Sequence, residues 1–214
     1  MIISRGRNYI FVHVPKTGGT SMALALESRA MKDDILIGDT PKAKRRRRRL
    51  QGVKTRGRLW KHATLADIDG LVPPALIEQA FVFTLVRNPW DRIVSYYHWL
   101  RCQSFQHPAV ALAKRYGFSG FLNAPETRAS LAAAPYERYV QDARGREHCS
   151  LFIRLENLGQ DAAPLWDHLG FDLPVPHVNR SDRHAHYRDH YNDADAAVVA
   201  DICGRDIARF GYEF

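Results

Sequence analysis

The sequence is poor in cysteine and in long apolar runs. Its 214 residues include three cysteines, Cys102, Cys149 and Cys203. An odd and widely spaced set of cysteines argues against a disulfide framework or a zinc site. No stretch approaches the roughly 18 apolar residues that a membrane-spanning helix needs. Residues 1–16 lack the layout of a signal peptide, because their apolar stretch runs straight into a glycine-containing turn. We therefore expect a cytoplasmic protein without a membrane span.

Acidic residues are missing between Thr40 and Lys61. This stretch holds eleven lysine and arginine residues, six of them consecutive from Lys44 to Arg49. The net charge of the chain is +8, so the rest of the chain sums to −3 once these eleven are subtracted. The pattern indicates a near-neutral protein with a basic, mobile insertion at about residues 40–60. The insertion lacks interleaved aromatic residues and a recognised binding module, so we expect no nucleic-acid partner.

The apolar pattern predicts an α/β fold. Short apolar, β-branched runs typical of buried strands occupy residues 9–14, 81–86 and 151–155, with a weaker candidate at 35–37. Helices are predicted at residues 22–31, 64–69, 74–80, 90–101 and 193–209, and another between the third strand and Leu169. Strands that alternate with helices favour a parallel sheet flanked by helices. The length suits a single domain over residues 1–214. Residues 38–58 are expected to be irregular.

A glycine-containing turn joins the first strand to its helix and predicts a phosphate site. Amides at a helix N-terminus bind anions, and two glycines let the backbone close around a phosphate. Candidate ligands are Pro15, Lys16, Thr17, Gly18, Gly19, Thr20 and Ser21. A Walker A loop has its lysine after the last glycine, whereas Lys16 comes first, so the usual nucleoside-triphosphate motif is not met. The alternative is an ordinary strand-to-helix turn with a surface lysine.

A second phosphate site is predicted where the strand at residues 81–86 ends. Arg87 leaves the carboxyl end of that strand, where ligands bind in open parallel sheets. Its guanidinium can hold a phosphate through two parallel hydrogen bonds. Ser95, two turns into the following helix, can add a hydroxyl donor. The alternative is that Arg87 and Asp91 cap a helix.

Both segments resemble PAPS-dependent sulfotransferases, where PAPS is 3′-phosphoadenosine-5′-phosphosulfate. FVHVPKTGGTSM is similar to the 5′-phosphosulfate-binding loop of the family, especially of its carbohydrate branch (heparan and chondroitin type). FVFTLVRNPWDRIVSYY is similar to the 3′-phosphate-binding segment. The resemblance covers most of the chain and is weakest at residues 40–58 and 102–148.

The resemblance implies a sulfotransferase fold with a P-loop-like sheet, and a reaction that needs no metal. It implies that Lys16 contacts the 5′-phosphosulfate and stabilises the leaving group, adenosine 3′,5′-bisphosphate. It assigns the 3′-phosphate to Arg87 and Ser95, and places Arg180 and Ser181 in a loop over the cofactor. The acceptor is expected to be anionic or carbohydrate-like, with a hydroxyl or an amine as the attacked group.

The reaction needs a base for the acceptor proton, and histidine suits that role near neutral pH. His62 is our candidate, because family members with a histidine base carry it in a similar interval between the two phosphate motifs. Lys61 beside it could help to hold an anion. His13 is the main rival, although its place in a buried strand favours an orienting role. Glu27 and Asp67 are weaker candidates.

Two other function classes stay open at this point. An atypical P-loop kinase or NTPase should bind ATP with magnesium. A non-catalytic module on the same fold should bind polyanions without Lys16 or His62. The basic segment is interpreted either as a solvated loop or as an electrostatic funnel for an anionic acceptor.

Overall fold

The structure is a computed structural model, and it describes residues 1–176 and 186–214. The chain forms two compact units, one from residues 1–86 and 136–176 and the other from residues 87–135 and 186–214. The single domain expected from the sequence stays a prediction. Within the described ranges, no helix is both long and apolar enough to cross a bilayer.

The first unit is built around a five-stranded sheet. Its strands are β1 (Ile2–Ser4), β2 (Tyr9–Val12), β3 (Ile35–Leu36), β4 (Phe81–Val86) and β5 (Leu151–Arg154), in the order β3-β1-β2-β4-β5. β2, β4 and β5 run parallel, whereas β1 is antiparallel to β2 and to β3. The predicted α/β class is confirmed. The sheet is mixed because β1, a three-residue strand too short to give a pattern, pairs with β2 through a tight turn.

The helices follow the strands as the alternating pattern predicts. They are α1 (Gly19–Ser28), α2 (Pro41–Arg46), α3 (Pro74–Gln79), α4 (Pro89–Arg101), α5 (Pro108–Arg115), α6 (Phe118–Asn123), α7 (Pro125–Ala132), α8 (Tyr136–Tyr139), α9 (Leu158–Asp161), α10 (Ala163–Leu169), α11 (Asp193–Ile202) and α12 (Gly204–Phe210). Short 3₁₀ turns cover Arg47–Leu50, Leu155–Asn157 and Tyr187–His190.

Each unit has its own apolar core. In the first unit, one face of the sheet packs against α1 and α10 through residues such as Phe11, Phe83 and Leu26. The other face packs against α3 and the turns around Leu65. The second unit has a core of α4, α5, α6 and α11, centred on aromatic residues such as Phe121. Burial on both faces explains why the central strands read as continuous apolar runs.

Three predicted helices differ from the structure for local reasons. Residues 65–68 form turns and Asp69 forms an isolated bridge with Val72, because the carbonyls of Asp67 and Asp69 accept hydrogen bonds from Gly57 and Arg56 instead of from later residues of a helix. The predicted helix at residues 193–209 is divided at Cys203, after which Gly204 starts α12. α1 covers Gly19–Ser28 in place of residues 22–31, because Gly18 supplies its N-cap with a φ of 82°.

The basic segment is more ordered than the irregular stretch predicted for residues 38–58. Thr40 caps α2, since its hydroxyl accepts a hydrogen bond from the amide of Ala43 at 3.1 Å, and Pro41 occupies the first turn. This helix-start signal was not recognised from the sequence, because the run of positive charges that follows it indicated an irregular segment. The mobility of the segment stays a prediction.

Candidate active site

The turn after β2 is shaped by two left-handed residues and a buried hydroxyl. Lys16 has a φ of 66° and Gly18 a φ of 82°. A positive φ is unfavourable for lysine, by about 1 kcal/mol or more, so the surrounding fold must impose it. The hydroxyl of Thr17, which is fully buried, donates to the carbonyl of Val14 at 3.0 Å. The hydroxyl of Thr17 therefore helps to hold the turn, and its assignment to the cofactor stays a prediction.

α1 begins directly at this turn, at Gly19. The amides of Gly19 and Thr20 are the first two of the helix, and helix geometry gives them no intrahelical acceptor. The amide of Ser21 donates back to the carbonyl of Gly18 at 3.0 Å. Lys16 and Thr20 are half-buried. The turn therefore presents helix amides beside a lysine, a donor set that suits an anion.

The ring of His13 packs against the start of α1. A Cβ added at Gly19 would lie 2.1 Å from Cδ2 of His13, so only glycine fits at this position while the ring stays where it is. His13 is 6% exposed, and its ring stacks on Phe11 at a centroid distance of 5.9 Å. Gly19 thus has a packing role. This role was not foreseen from the sequence, because the two glycines were explained by the close approach of the backbone to a phosphate.

His62 is brought to the same place by contacts with His13. Its Nδ1 lies 2.8 Å from the carbonyl oxygen of His13, and the two rings meet edge to face at 4.6 Å. A carbonyl oxygen can only accept, so Nδ1 of His62 must carry the proton. In the neutral ring Nε2 then keeps its lone pair. His62, the candidate base, is therefore held in the tautomer that would receive a proton at Nε2.

Both histidines are neutral at physiological pH. Burial lowers the pKa of His62 to about 4, against the opposing effect of its hydrogen bond to the carbonyl of His13, while the Lys61 charge adds to the decrease. Burial, with the neighbouring His62, lowers the pKa of His13 well below its usual range. His62 is thus a proton acceptor over the whole neutral range. The burial of His13 favours the orienting role for this residue.

The other polar residues near the loop pair with one another. Nζ of Lys61 lies 2.7 Å from Oδ2 of Asp39, so its charge is already partly compensated. The hydroxyl of Thr40 donates to the carboxylate of Glu27, and burial raises the pKa of Glu27. Asp67 accepts from the amide of Thr64 at 2.8 Å. Glu27 and Asp67 therefore have structural partners, which leaves His62 as the better base candidate.

The second predicted phosphate ligand, Arg87, follows β4 directly and lies in the second unit. Its Nε and Nη2 donate to Oδ2 of Asp91 at 2.8 and 2.6 Å. Asp91 is in the first turn of α4, which Asn88 caps by accepting from the amide of Trp90. The arginine is thus oriented by an ion pair, the alternative that the sequence left open, and this pairing does not test phosphate binding. Ser95 lies on α4 and is 6% exposed.

Comparisons with known proteins bear on the whole chain. A family model described as "Sulfotransferase family" matches residues 1–213. The chain belongs to the sulfotransferase family. Among solved structures, the chain is similar to a mouse sulfotransferase, SULT7A1, determined in complex with PAP. That match has 17% identity, a TM-score of 0.35, and covers 96% of this chain and 67% of the mouse chain. No curated protein matches the sequence.

For this sulfotransferase, the structure adds residues that the sequence reasoning missed. The backbone carbonyl of His13 fixes the tautomer of His62, and Asp39 pairs with Lys61. An Asp spaced 22 residues from its partner gives no sequence signal. Arg180 and Ser181 lie outside the described residues, so their cofactor role stays a prediction. Within residues 1–176 and 186–214, no three His, Cys, Asp or Glu side chains are grouped to bind a metal ion.

Proposed function

We propose that this enzyme transfers the sulfuryl group of PAPS to a hydroxyl of an anionic, carbohydrate-like acceptor, with His62 as the base. The observation that carries the proposal is the hydrogen bond from Nδ1 of His62 to the carbonyl of His13. The ring of His13 packs on Gly19, the first residue of α1. A neutral, oriented base therefore lies beside the turn whose donor set suits an anion.

The residues of the turn fit the phosphosulfate end of PAPS. The amides of Gly19 and Thr20 and the Lys16 ammonium provide oriented positive charge. PAPS supplies the sulfuryl group and departs as adenosine 3′,5′-bisphosphate. Lys16 stabilises the negative charge that grows on the leaving phosphate oxygen, an effect typically worth several kcal/mol in a preorganised site. We assign the 3′-phosphate to Arg87 and Ser95 on the strength of the resemblance.

His62 completes the transfer by moving one proton. The acceptor oxygen forms a bond to sulfur while the bond between sulfur and the phosphate oxygen breaks. Nε2 of His62 takes the acceptor proton, and the imidazolium that forms keeps its Nδ1 hydrogen bond to His13. Atoms and charges balance without a further reactant. A base with a pKa of about 4 is weak. The negative charge of a bound phosphosulfate raises that pKa and so improves the base.

An anionic acceptor is favoured by the exposed half of the basic segment. Lys44, Arg45, Arg47 and Arg48 are exposed, and no acidic residue lies between Thr40 and Lys61. The Asp39–Lys61 ion pair joins the two ends of this segment at its base, next to His62. A positive surface beside the base attracts negatively charged acceptors over about one Debye length, roughly 8 Å at physiological salt.

The other half of the basic segment has a structural role. Lys42 donates to the carbonyl of Glu27. Nη1 of Arg46 donates to the carbonyls of Met31 and Asp34 at 2.7 and 3.1 Å, and Arg49 donates to that of Lys32. These three cations, at positions i, i+4 and i+7, attach the segment to the last turn of α1 and to the residues between α1 and β3. Lys42 supplies the last turn of α1 with a donor and a favourable charge.

Calorimetry with adenosine 3′,5′-bisphosphate, without added metal, tests the cofactor assignment. We expect the wild type to bind, and Lys16→Ala and Arg87→Ala each to weaken binding about tenfold or more, because each removes a charge-assisted contact. Lys114→Ala is the matched control, since it removes an exposed lysine of α5 from the second unit. Equal affinities in all four proteins, or binding of magnesium ATP in preference, would contradict the assignment.

A further inference from the structure

An exposed tryptophan lies against the candidate base. The side chain of Trp60 leaves 42% of the residue surface in contact with solvent. Its ring meets the ring of His62 at a centroid distance of 5.0 Å and an angle of 87°. Exposed tryptophans are unusual, because burying a large indole is favourable, so one beside a catalytic group suggests a surface for a ligand.

The backbone on both sides of Trp60 is fixed. The carbonyl of Trp60 accepts from the amide of Ala63, which is fully buried, at 2.9 Å. Leu59 packs against the apolar core under the sheet. The amide of Gly57 donates to the carbonyl of Asp67 at 3.1 Å, and a Cβ at Gly57 would collide with that side chain. The backbone that carries the exposed indole is therefore fixed by hydrogen bonds and packing on both sides.

The neighbours of Trp60 are charged or polar. The guanidinium carbon of Arg58, itself exposed, lies 5.7 Å from the centre of the indole. By contrast Trp99, which is 37% exposed, stacks on Tyr96 and contacts Phe105. Trp99 therefore belongs to an aromatic cluster, whereas Trp60 joins a cation to a histidine. Charge complementarity indicates an occupant that combines an apolar face with negative groups.

We propose that Trp60 and Arg58 form an acceptor subsite that binds one ring of an anionic saccharide. A pyranose has a face of C–H groups that stacks on an indole, and carboxylate or sulfate substituents that an arginine binds through paired hydrogen bonds. A ring stacked at about 4 Å from the indole, an ordinary contact distance, places its hydroxyls next to His62. This inference deepens the proposed function and rests on it, because it assumes that His62 is the base.

Binding of defined oligosaccharides tests the subsite without requiring turnover. The probes are chondroitin tetrasaccharide (anionic), chitotetraose (neutral) and polyglutamate (anionic without sugar rings), each titrated by calorimetry. We expect Trp60→Ala to weaken binding of chondroitin tetrasaccharide about tenfold, since it removes a stacked ring, and Trp60→Phe to restore part of the loss. We expect Arg58→Gln to weaken binding of the anionic saccharide and to leave binding of the neutral saccharide unchanged.

Trp99→Ala is the matched control, because it removes a tryptophan of similar exposure from the second unit. The subsite is wrong if Trp60→Ala and Trp99→Ala have equal effects. The proposed subsite is also wrong if Trp60→Ala weakens binding of polyglutamate as strongly as binding of the saccharide, because a polyanion without sugar rings then uses the same surface. Titration of adenosine 3′,5′-bisphosphate into the same variants separates the two proposals: nucleotide binding tests the cofactor assignment, and saccharide binding tests the subsite.

Discussion

The turn after β2 and the basic segment at residues 40–61 are both positively charged, and they use that charge in different ways. The turn has one lysine, oriented helix amides and two neutral histidines, on a backbone held by Thr17 and Gly18. The basic segment has eleven cations. Three of these cations donate to backbone carbonyls in the last turn of α1 and in the residues that follow it, and seven others, Lys44, Arg45, Arg47 and Arg48 among them, are exposed.

This comparison shows that the region with the highest density of charge is not the region with the most closely fixed polar groups. Group transfer needs a few groups held in fixed orientation, and under the proposed function the turn and the two histidines beside it would supply them through backbone geometry and burial. The exposed cations can attract a partner, but each is flexible and screened by salt. We therefore expect changes near the turn to reduce the rate strongly, and changes on the basic segment to alter acceptor binding moderately.

The largest effect is expected from His62→Asn. The asparagine amide can still donate to the carbonyl of His13, but it cannot take a proton, so we expect the kcat to fall about 10²- to 10⁴-fold. The assay measures transfer of labelled sulfate from PAPS to chondroitin.

The pH dependence of the wild type gives a second prediction. Because burial lowers the pKa of His62 to about 4, the ring stays neutral as pH decreases through the range in which histidine ordinarily titrates. The wild-type kcat/KM should therefore be level from pH 7 to about pH 5 and decrease below it.

NMR of the histidine rings checks the same idea independently of any acceptor. We expect the nitrogen shifts of His62 to report a proton on Nδ1, with no titration near pH 6.5. A proton on Nε2, or a histidine that titrates normally at this position, would remove the basis for its role as base. Retained activity in His62→Asn would do the same.

A smaller effect, on both stability and rate, is expected from Gly19→Ala. The added Cβ would lie 2.1 Å from Cδ2 of His13, and this ring is confined by Phe11 and His62. We expect a loss of about 1–3 kcal/mol in the free energy of unfolding, typical of overpacking, measured in urea. The kcat should decrease as well, because displacing His13 moves the carbonyl that orients His62.

Gly159→Ala is the control for this substitution. Gly159 lies in α9, and a Cβ there would meet nothing within 4 Å. Alanine should leave stability unchanged or increase it by up to about 1 kcal/mol, as expected for glycine replacement in a helix. If both variants lose the same stability, the packing of His13 on Gly19 is not the reason.

The smallest effect is expected from neutralising the exposed cations. Replacing Lys44, Arg45, Arg47 and Arg48 with glutamine should weaken chondroitin binding about tenfold at low salt and reduce its salt dependence. Affinity for adenosine 3′,5′-bisphosphate should not change. The double variant Lys42→Gln, Arg46→Gln is the comparison, because it should lower stability and leave most of the salt dependence. If the variant with the four glutamines binds chondroitin as the wild type does, these exposed cations do not take part in acceptor binding and contribute only to solubility.

Much of the fold could be predicted from the sequence, and so could the strand, turn and helix that carry the candidate site. β4 covers the predicted residues 81–86, and α3 and α4 begin within one residue of the predicted prolines. Apolar periodicity and helix-start signals are local, so short windows contain them. β1 and α2 were missed, since a three-residue strand has no period and a block of like charges conceals a capping threonine. His62 was chosen as the candidate base through the resemblance, which stays a prediction, and the orientation of its ring could not be foreseen from the sequence.

The sequence by itself determined the strand, turn and helix that form the phosphate-binding candidate, and the family to which the chain belongs. Only the tertiary structure decided the tautomer of His62, which depends on a carbonyl 49 residues away. The tertiary structure also divided the basic run into a docked and an exposed face, and placed Trp60 against His62, the candidate base. Local elements follow from neighbouring residues, whereas protonation states and contact faces depend on groups that folding brings together from distant positions.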